Sequence, residues 1–483
     1  MKSIPINEFS IDTEIDPYKK SKQLVFYLDN KVKESQFTAF IQFFSEKLNI
    51  PENVVSFEIK QYLMRNHNFK LGKFKKIFNL NKIFISSIIY CLSIFYIFLN
   101  SKKKNKKELC DIIFDEIESK EEISRVLNIK KKFKSFKIIS SNHELTNNDI
   151  FCFSKYKDCD REYLFSNYHF FGLNFLIKSL TYSISEKTNY IDLATYIIKK
   201  TIKYHSIFGQ VQGQFLYQER HYTTSAIKNY LFKHHGGKVV SCFQKNLIHL
   251  HDTGFYVTTD ILFSLGKKTT LTMKFCGSKI KKIIPVGSIF LETKWFKSKK
   301  TKVPKHDIIV FVGNNTLNFA TNKEFKKNYI EHLKWIVNIS NDFPNLKVAI
   351  KHHFNNKNID NEEREIIKNS KVKTIMSDNK GDKNYSYGYA FNSVFACTFV
   401  STIAYELIGH NKSCFFLDPN GKNLEFLNKE KYNEKWKIKS YKEFKEKVEK
   451  IVIKKKKENI INRQDFCILS KNVANKISSH LRK

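Results

Sequence analysis

The chain has 483 residues, enough for about three domains or two large ones. Hydrophobic residues make up 42% and charged residues 27%, which excludes a mainly disordered chain. The balance of 84 Lys+Arg against 47 Asp+Glu gives +37, which suggests a nucleic acid, an anionic membrane face or a phosphorylated small molecule as partner.

That charge carries less than its size suggests. Lys, Asn, Ile and Phe dominate, Gly (15) and Pro (7) are scarce, and the Lys residues are scattered. Codons rich in A and T produce the same bias. Nine Cys with no CxxC pair read as reduced thiols in a cytoplasmic compartment. The first twenty residues lack the apolar core of a secretory signal.

In chain order, Leu24–Leu28 reads as a short strand closed by Asp29-Asn30, and Ser35–Leu48 has helical spacing. Ile83–Leu99 is an uncharged apolar run between Lys82 and the basic cluster of residues 102–107. It sits at the lower length limit for a span and includes three Ser. Both flanks are basic, so no orientation follows. A helix lying on or dipping into the inner leaflet fits better, with a span and a buried core helix as the alternatives. Asp111–Phe114 and Phe136–Ile139 read as strands and Ile191–Tyr204 as a helix. Next come strand Gln214–Tyr217, the loop Glu219-Arg220-His221-Tyr222, helix Thr223–Lys233 capped by Thr223 or Thr224, and strand Lys238–Phe243. This alternation predicts parallel strands with crossover helices.

The basic stretch Lys297–Lys305 reads as an interdomain linker. A second alternating unit follows: strand Asp307–Val312 into Gly313-Asn314-Asn315, helix Glu324–Ser340, and strand Leu346–Ile350 into Lys351-His352-His353. Phe395–Val400 then runs into Ser401-Thr402 and a short helix, Ile403–Gly409. Strand Ser413–Leu417 and the turn Asp418–Gly421 close the unit. The Lys-rich tail from Tyr441 reads as helical. The predicted organisation is a first domain over 1–296 holding the apolar insertion 83–99, a second over 306–428, and basic helices over 429–483.

Ligands of open α/β sheets bind beyond the C-terminal strand ends. That ranks three loops of the second domain: Gly313-Asn314-Asn315, Lys351-His352-His353 and Ser401-Thr402. Backbone N–H groups, hydroxyls and imidazoles there suit a phosphate or nucleoside. Plain N-capping explains Ser401-Thr402 as well, and exposed loop residues explain the histidines. Glu406 suits a ribose or a solvated helix face. In the first domain, Glu219 and His221 stand at a strand end as base candidates, against the alternative of a structural ion pair; Asp29 is a lesser candidate. His249 and His251 share a strand face, but no further metal ligand follows at known spacing. P-loop, nucleophile-elbow and HExxH motifs are absent from the sequence.

Residues Ile261–Glu292 hold an apolar strand, a Ser-Leu-Gly loop and Val286-Gly287-Ser288. Together with the run from Asp307 to Gly421 they resemble GT-B glycosyltransferases of bacterial surface carbohydrate synthesis, capsule and O-antigen-like enzymes included. Ser401-Thr402 matches the SS/ST motif of capsule and sialic-acid transferases. His352 or His353 stands where their HP motif would be, although Phe354 rather than Pro follows. The resemblance covers roughly residues 210–425 and implies an α/β fold of two Rossmann-like domains, with C-terminal helices that return to the first. It implies a glycosyltransferase using a nucleotide-sugar donor and a glycan or lipid-linked acceptor, peripheral or monotopic at an anionic inner membrane face. No cofactor beyond the donor, no required metal and no nucleic acid partner are implied. Two other readings remain: a basic nucleic-acid-binding protein, and a nucleotide-sugar epimerase-like enzyme.

Overall fold

The computed structural model describes residues 25–30, 32–66, 80–100, 107–142, 144–145, 149–152, 171–186, 189–245, 256–270, 273, 277–292, 303–312, 323–353, 359, 361–376, 384–399, 401–419, 435–456 and 462–482. Two compact units emerge: residues 1–263, 271–284 and 474–483 in the first, 264–270 and 285–473 in the second. Residues 285–296 therefore belong with the second unit, and the 429–483 tail is divided between the two.

The first unit opens with helical residues 25–30 and helices α1 (Ser35–Leu48), α2 (Glu52–Asn66) and α3 (Leu80–Asn100). The segment read as a strand at Leu24–Leu28 is thus helical. Val25, Tyr27 and Leu28 are buried and Phe26 is exposed, so two adjacent buried residues break the strict alternation of a strand. Strand β1 (Glu108–Asp115), helix α4 (Lys120–Lys130), and strands β2 (Phe136–Ser140) and β3 (Ile150–Cys152) follow. Helices α5 (Phe171–Glu186) and α6 (Tyr190–Gln210) lead to β4 (Val211–Gln218), α7 (Ala226–His234), β5 (Val239–Phe243), β6 (Thr258–Ser264) and β7 (Lys279–Pro285). Ser225, not Thr223 or Thr224, caps α7: its Oγ accepts from the Lys228 amide.

The sheet order is β3-β2-β1-β4-β5-β6-β7, and β3 through β6 pair in parallel. A parallel sheet needs cover on its faces. Here much of that cover is a helical layer whose aromatic core gathers Phe37, Phe40, Phe44, Phe175, Tyr182 and Tyr190. Part of the Phe-rich composition is spent there.

The second unit carries β8 (Ile308–Phe311), α8 (Lys323–Asp342), β9 (Val348–Lys351), α9 (Asn361–Ile367), β10 (Lys373–Ile375), α10 (Asn384–Asn392), β11 (Phe395–Thr398), α11 (Ile403–Gly409), β12 (Cys414–Leu417) and β13 (Lys437–Ile438). Its order is β10-β9-β8-β11-β12-β13, all parallel. The two-unit α/β architecture expected from the sequence is present. The tail is helical in separate pieces. It forms α12 (Tyr441–Val448), a π-helical turn over Glu449–Ile453, a 3₁₀ turn over Arg463–Asp465, and α13 (Val473–Leu481). From Ala474 on it belongs to the first unit, where Ser478 donates to the Ile129 carbonyl (2.9 Å) and Arg482 to that of Lys132 (3.0 Å).

Gly287 shows how tightly the second unit closes on itself. Its φ is +94°, and a Cβ there would stand 2.5 Å from the Ile468 carbonyl oxygen. Both the backbone and the contact demand glycine. Gly287→Ala should cost about 2 kcal/mol or more in urea unfolding, whereas Gly236→Ala, in open space at φ +93°, carries the backbone penalty alone.

Candidate functional site

In each sheet the strand order reverses beside its first strand: between β1 and β4 in the first, between β8 and β11 in the second. Crossovers leave in opposite directions there, and in open α/β sheets the C-terminal strand ends at such a point are where ligands bind.

In the second unit those strand ends collect the expected donor loops. Ser401 and Thr402 follow β11, and Lys351, His352 and His353 end β9, the neighbour of β8. Gly313, Asn314 and Asn315 follow β8 in sequence and lie outside the described residues. Ser401 and Thr402 are partly exposed. Thr402 stands at the N-cap of α11 in helical geometry, and its side chain makes no capping bond. Ser401 Oγ accepts from the Ile403 amide at a long 3.4 Å.

Lys351 is buried, with its Nζ donating to the His352 carbonyl at 3.0 Å. His352 is buried too; its Nε2 lies 2.9 Å from Glu363 Oε1, a close contact without hydrogen-bond alignment. Tyr329 OH donates to the other oxygen of Glu363 at 3.1 Å. His353 is partly exposed beside them. Glu406 is not on a solvated face: it is buried, and takes bonds from Ser288 Oγ and from Tyr387 OH, the latter at 2.6 Å. These bonds tie α11 to α10 and to the Val286-Gly287-Ser288 segment.

In the first unit, Glu219 and His221 reach the C-terminal end of β4 as expected, and both are buried. Arg125 Nε donates to Glu219 Oε1 (2.8 Å), and Tyr217 OH to Oε2 (3.4 Å). Burial pushes this carboxyl up, against the pull of Arg125. The contacts of Glu219 follow the ion-pair alternative. His221 Nδ1 accepts from the Lys245 amide at 3.2 Å, so in the neutral ring Nε2 carries the proton. Asp29 pairs with Lys60. His249 and His251 lie outside the described residues. Among those described, no group of three His, Cys, Asp or Glu side chains gathers as a metal site.

A buried charge cluster at this edge has no motif. Asp115 and Glu116 end β1, and the fully buried Lys228 of α7 reaches them at 2.7 and 3.1 Å. Lys228 also donates to the Thr223 carbonyl at 3.2 Å. Burial alone would lower Lys228, but Asp115 and Glu116 hold its ammonium well above the usual lysine range. Burial raises Asp115 despite Lys228. Glu116, also opposed by burial, is held down by Lys228 and by the Thr223 side chain. Its φ of 60° is an uncommon value for a non-glycine residue, held at a strand end beside the strand-order reversal. The sequence signal was there: an Asp-Glu pair at the end of an apolar strand.

No family profile matches the chain, and no curated protein sequence matches it. Solved structures do. The S. aureus MnaA–UDP co-structure is 9% identical, covering 77% of this chain and 96% of that one, with a TM-score of 0.48. The UDP-GlcNAc 2-epimerase of Methanocaldococcus jannaschii is 12% identical over 78% and 100%, with a TM-score of 0.45. MurG of Acinetobacter baumannii is 8% identical over 77% and 99%, with a TM-score of 0.42. These likenesses decide neither substrate nor reaction.

A buried carboxylate next to the cluster makes a pH prediction. Glu58 of α2 receives Tyr196 OH (2.6 Å), Lys200 Nζ (2.6 Å), Ser225 Oγ (2.7 Å) and the Ile227 amide (3.1 Å) at the N-terminus of α7. Burial pushes its carboxyl up, but Lys200 and the hydrogen bonds win and hold it at about 2, below the ordinary 4.5. A lowered folded value stabilises the fold above the unfolded one. The contribution, about 3 kcal/mol, is complete above pH 4.5 and is lost as pH falls towards about 2. Urea unfolding between these pH values should show this slope, and Glu58→Gln should flatten it.

Proposed function

We propose that the chain is a nucleotide-sugar enzyme of GT-B type, a glycosyltransferase that moves a sugar from its nucleotide donor to a glycan or lipid-linked acceptor. One observation carries this reading. At the C-terminal strand ends of the second sheet, the partly exposed Ser401 and Thr402 follow β11 at the strand-order reversal and the partly exposed His353 follows β9, the neighbour of β8, residue types that suit a nucleoside phosphate. Ser401 and Thr402 hold the donor phosphate through their hydroxyls, and Gly313, Asn314 and Asn315 join them as donor-binding residues on their sequence position after β8. His353 reaches the nucleoside, with Lys351 and His352 fixing that loop from beneath. Glu406 shapes the ribose side through Tyr387 and Ser288. Donors fixed in advance stabilise the charge of the leaving group, and this chemistry needs no cofactor.

On the acceptor side the proton is taken by a carboxylate. Glu116 is more accessible for that task than the buried Glu219 and His221. It is held in the ionised form and is partly exposed, at 22% of its side chain. Glu219 is committed to Arg125, and His221 Nδ1 is taken by the Lys245 amide. Those two then serve as positioning residues. An epimerase would use the same donor loops, and the products separate the two reactions: transfer releases free nucleotide only when acceptor is present, whereas epimerisation leaves the nucleotide sugar intact.

A thermal-shift panel of CMP, CDP, UDP and GDP tests the donor site. At saturation one of them should raise Tm by roughly 5 °C, and Ser401→Ala should remove most of that shift. No response to any nucleotide would end this reading. Glu116→Gln should leave the shift intact and lower kcat by about a hundredfold or more; an unchanged rate would return the base to another residue.

A further inference from the structure

Twelve of the sixteen large hydrophobic side chains exposed among the described residues lie on two helices of the first unit, α3 and α5. On α3 the exposed face carries Phe84, Ile88, Leu92, Phe95 and Leu99, and no charge falls between Ile83 and Leu99. On α5, Leu173, Ile177 and Ile184 are exposed. The two helices pack on each other: Tyr90 OH donates to the Gly172 carbonyl at 2.6 Å, and a Cβ on Gly172 would stand 3.6 Å from Ile94 Cγ2. Their exposed apolar side chains total far more than scattered surface hydrophobics require.

We propose that α3 and α5 together form a monotopic membrane anchor that lies in the plane of an anionic bilayer. Three observations choose this occupant and this mode. First, α3 is long and apolar enough to cross a membrane, yet its other face is built into the protein. Ile83, Ser86, Tyr90 and Ile97 are buried along roughly 20 Å of helix, three of them in the same core as α1 and α6, and Asn189 donates to Ser86 Oγ at 2.9 Å. Crossing the bilayer would strip this face from its core, whereas lying flat embeds the exposed face and keeps the packed one.

Second, the charges flank the apolar run of α3 in sequence rather than interrupt it, and on α5 one lysine stands among the apolar side chains. Lys82 precedes that run and is exposed, the sequence at 102–107 contributes five Lys immediately after it, and the exposed Lys178 stands on α5 between Ile177 and Ile184. Lys side chains at that depth reach anionic headgroups while their stems cover apolar surface. Third, the same charges work against a second copy of this chain, since a self-facing patch would bring like charges together on a molecule already at +37. The anchor is independent of the enzyme reading and is measured without any substrate.

Sedimentation of the purified full-length protein with vesicles provides the test. Binding to vesicles of phosphatidylcholine with phosphatidylglycerol should be strong, weaker with phosphatidylcholine alone, and weakened by salt. Leu92→Glu should lower the bound fraction roughly tenfold, and Ile177→Glu roughly threefold or more. Both residues are exposed, so far-UV circular dichroism and Tm should stay at wild-type values. Ile453→Glu, at an exposed apolar site in the other unit, is the control and should change nothing. Cys91, exposed on α3, should react with an impermeant maleimide in free protein and be protected on anionic vesicles, read by peptide mass spectrometry.

Failure of the wild type to sediment with anionic vesicles would overturn the proposal. So would equal loss in Ile453→Glu, or a vesicle-free dimer that Leu92→Glu dissociates while lipid binding persists. Full binding by Ile177→Glu would remove α5 from the anchor and with it the two-helix mode.

Discussion

A single buried ammonium joins the parts of the first unit. Lys228 projects from α7 under the end of β1 and neutralises two adjacent carboxylates that cannot both stay ionised in the interior without it. Removing one partner of such a group leaves uncompensated charge, which costs more than the group contributes when complete. The left-handed turn at Glu116 is affordable only because Lys228 and Thr223 hold its side chain. Helix α7 is in turn fixed at its N-terminus by Glu58, so α2 and α6, which supply Glu58 and its partners Tyr196 and Lys200, are tied to the same edge.

Much of the architecture was legible in the sequence because parallel strands announce themselves. Ile308–Phe311, Phe395–Thr398 and Cys414–Leu417 are buried throughout, and a continuous apolar run closed by a turn is what such strands require. Leu24–Leu28 misled for the same reason: a short apolar run with β-forming residues is ambiguous until its burial period is known. The tail was legible as helical from its Lys and Glu content, and Asn462 and Asn472 at positive φ fall between its helices.

The candidate site divides along a similar line. Ser401, Thr402, His352 and His353 stood out because each closes a strand, and strand ends are local features. The bond from Lys228 to Asp115 spans 113 positions, so no spacing or motif could betray it. Glu406 was visible as a carboxylate early in a helix, but its burial against Tyr387 and Ser288 depends on elements distant in sequence. Net charge was the least informative signal. What matters is where the lysines stand: Lys228, Lys351 and Lys437 are buried, and Lys82 and Lys178 are exposed beside apolar side chains.

The return of α13 to the first unit sets an order of assembly. Residues 474–483 complete that unit, yet a ribosome makes them after the whole long segment of the second. At ordinary elongation rates that segment takes roughly 10–40 s to emerge. Throughout that interval α4 lacks the partner that Ser478 and Arg482 provide, and the first unit is a nascent intermediate with one helix missing. The two units are therefore not beads that mature one after the other. The earlier one is sealed last, which makes it the stage at which chaperones, or a nearby lipid surface, would meet the unfinished chain.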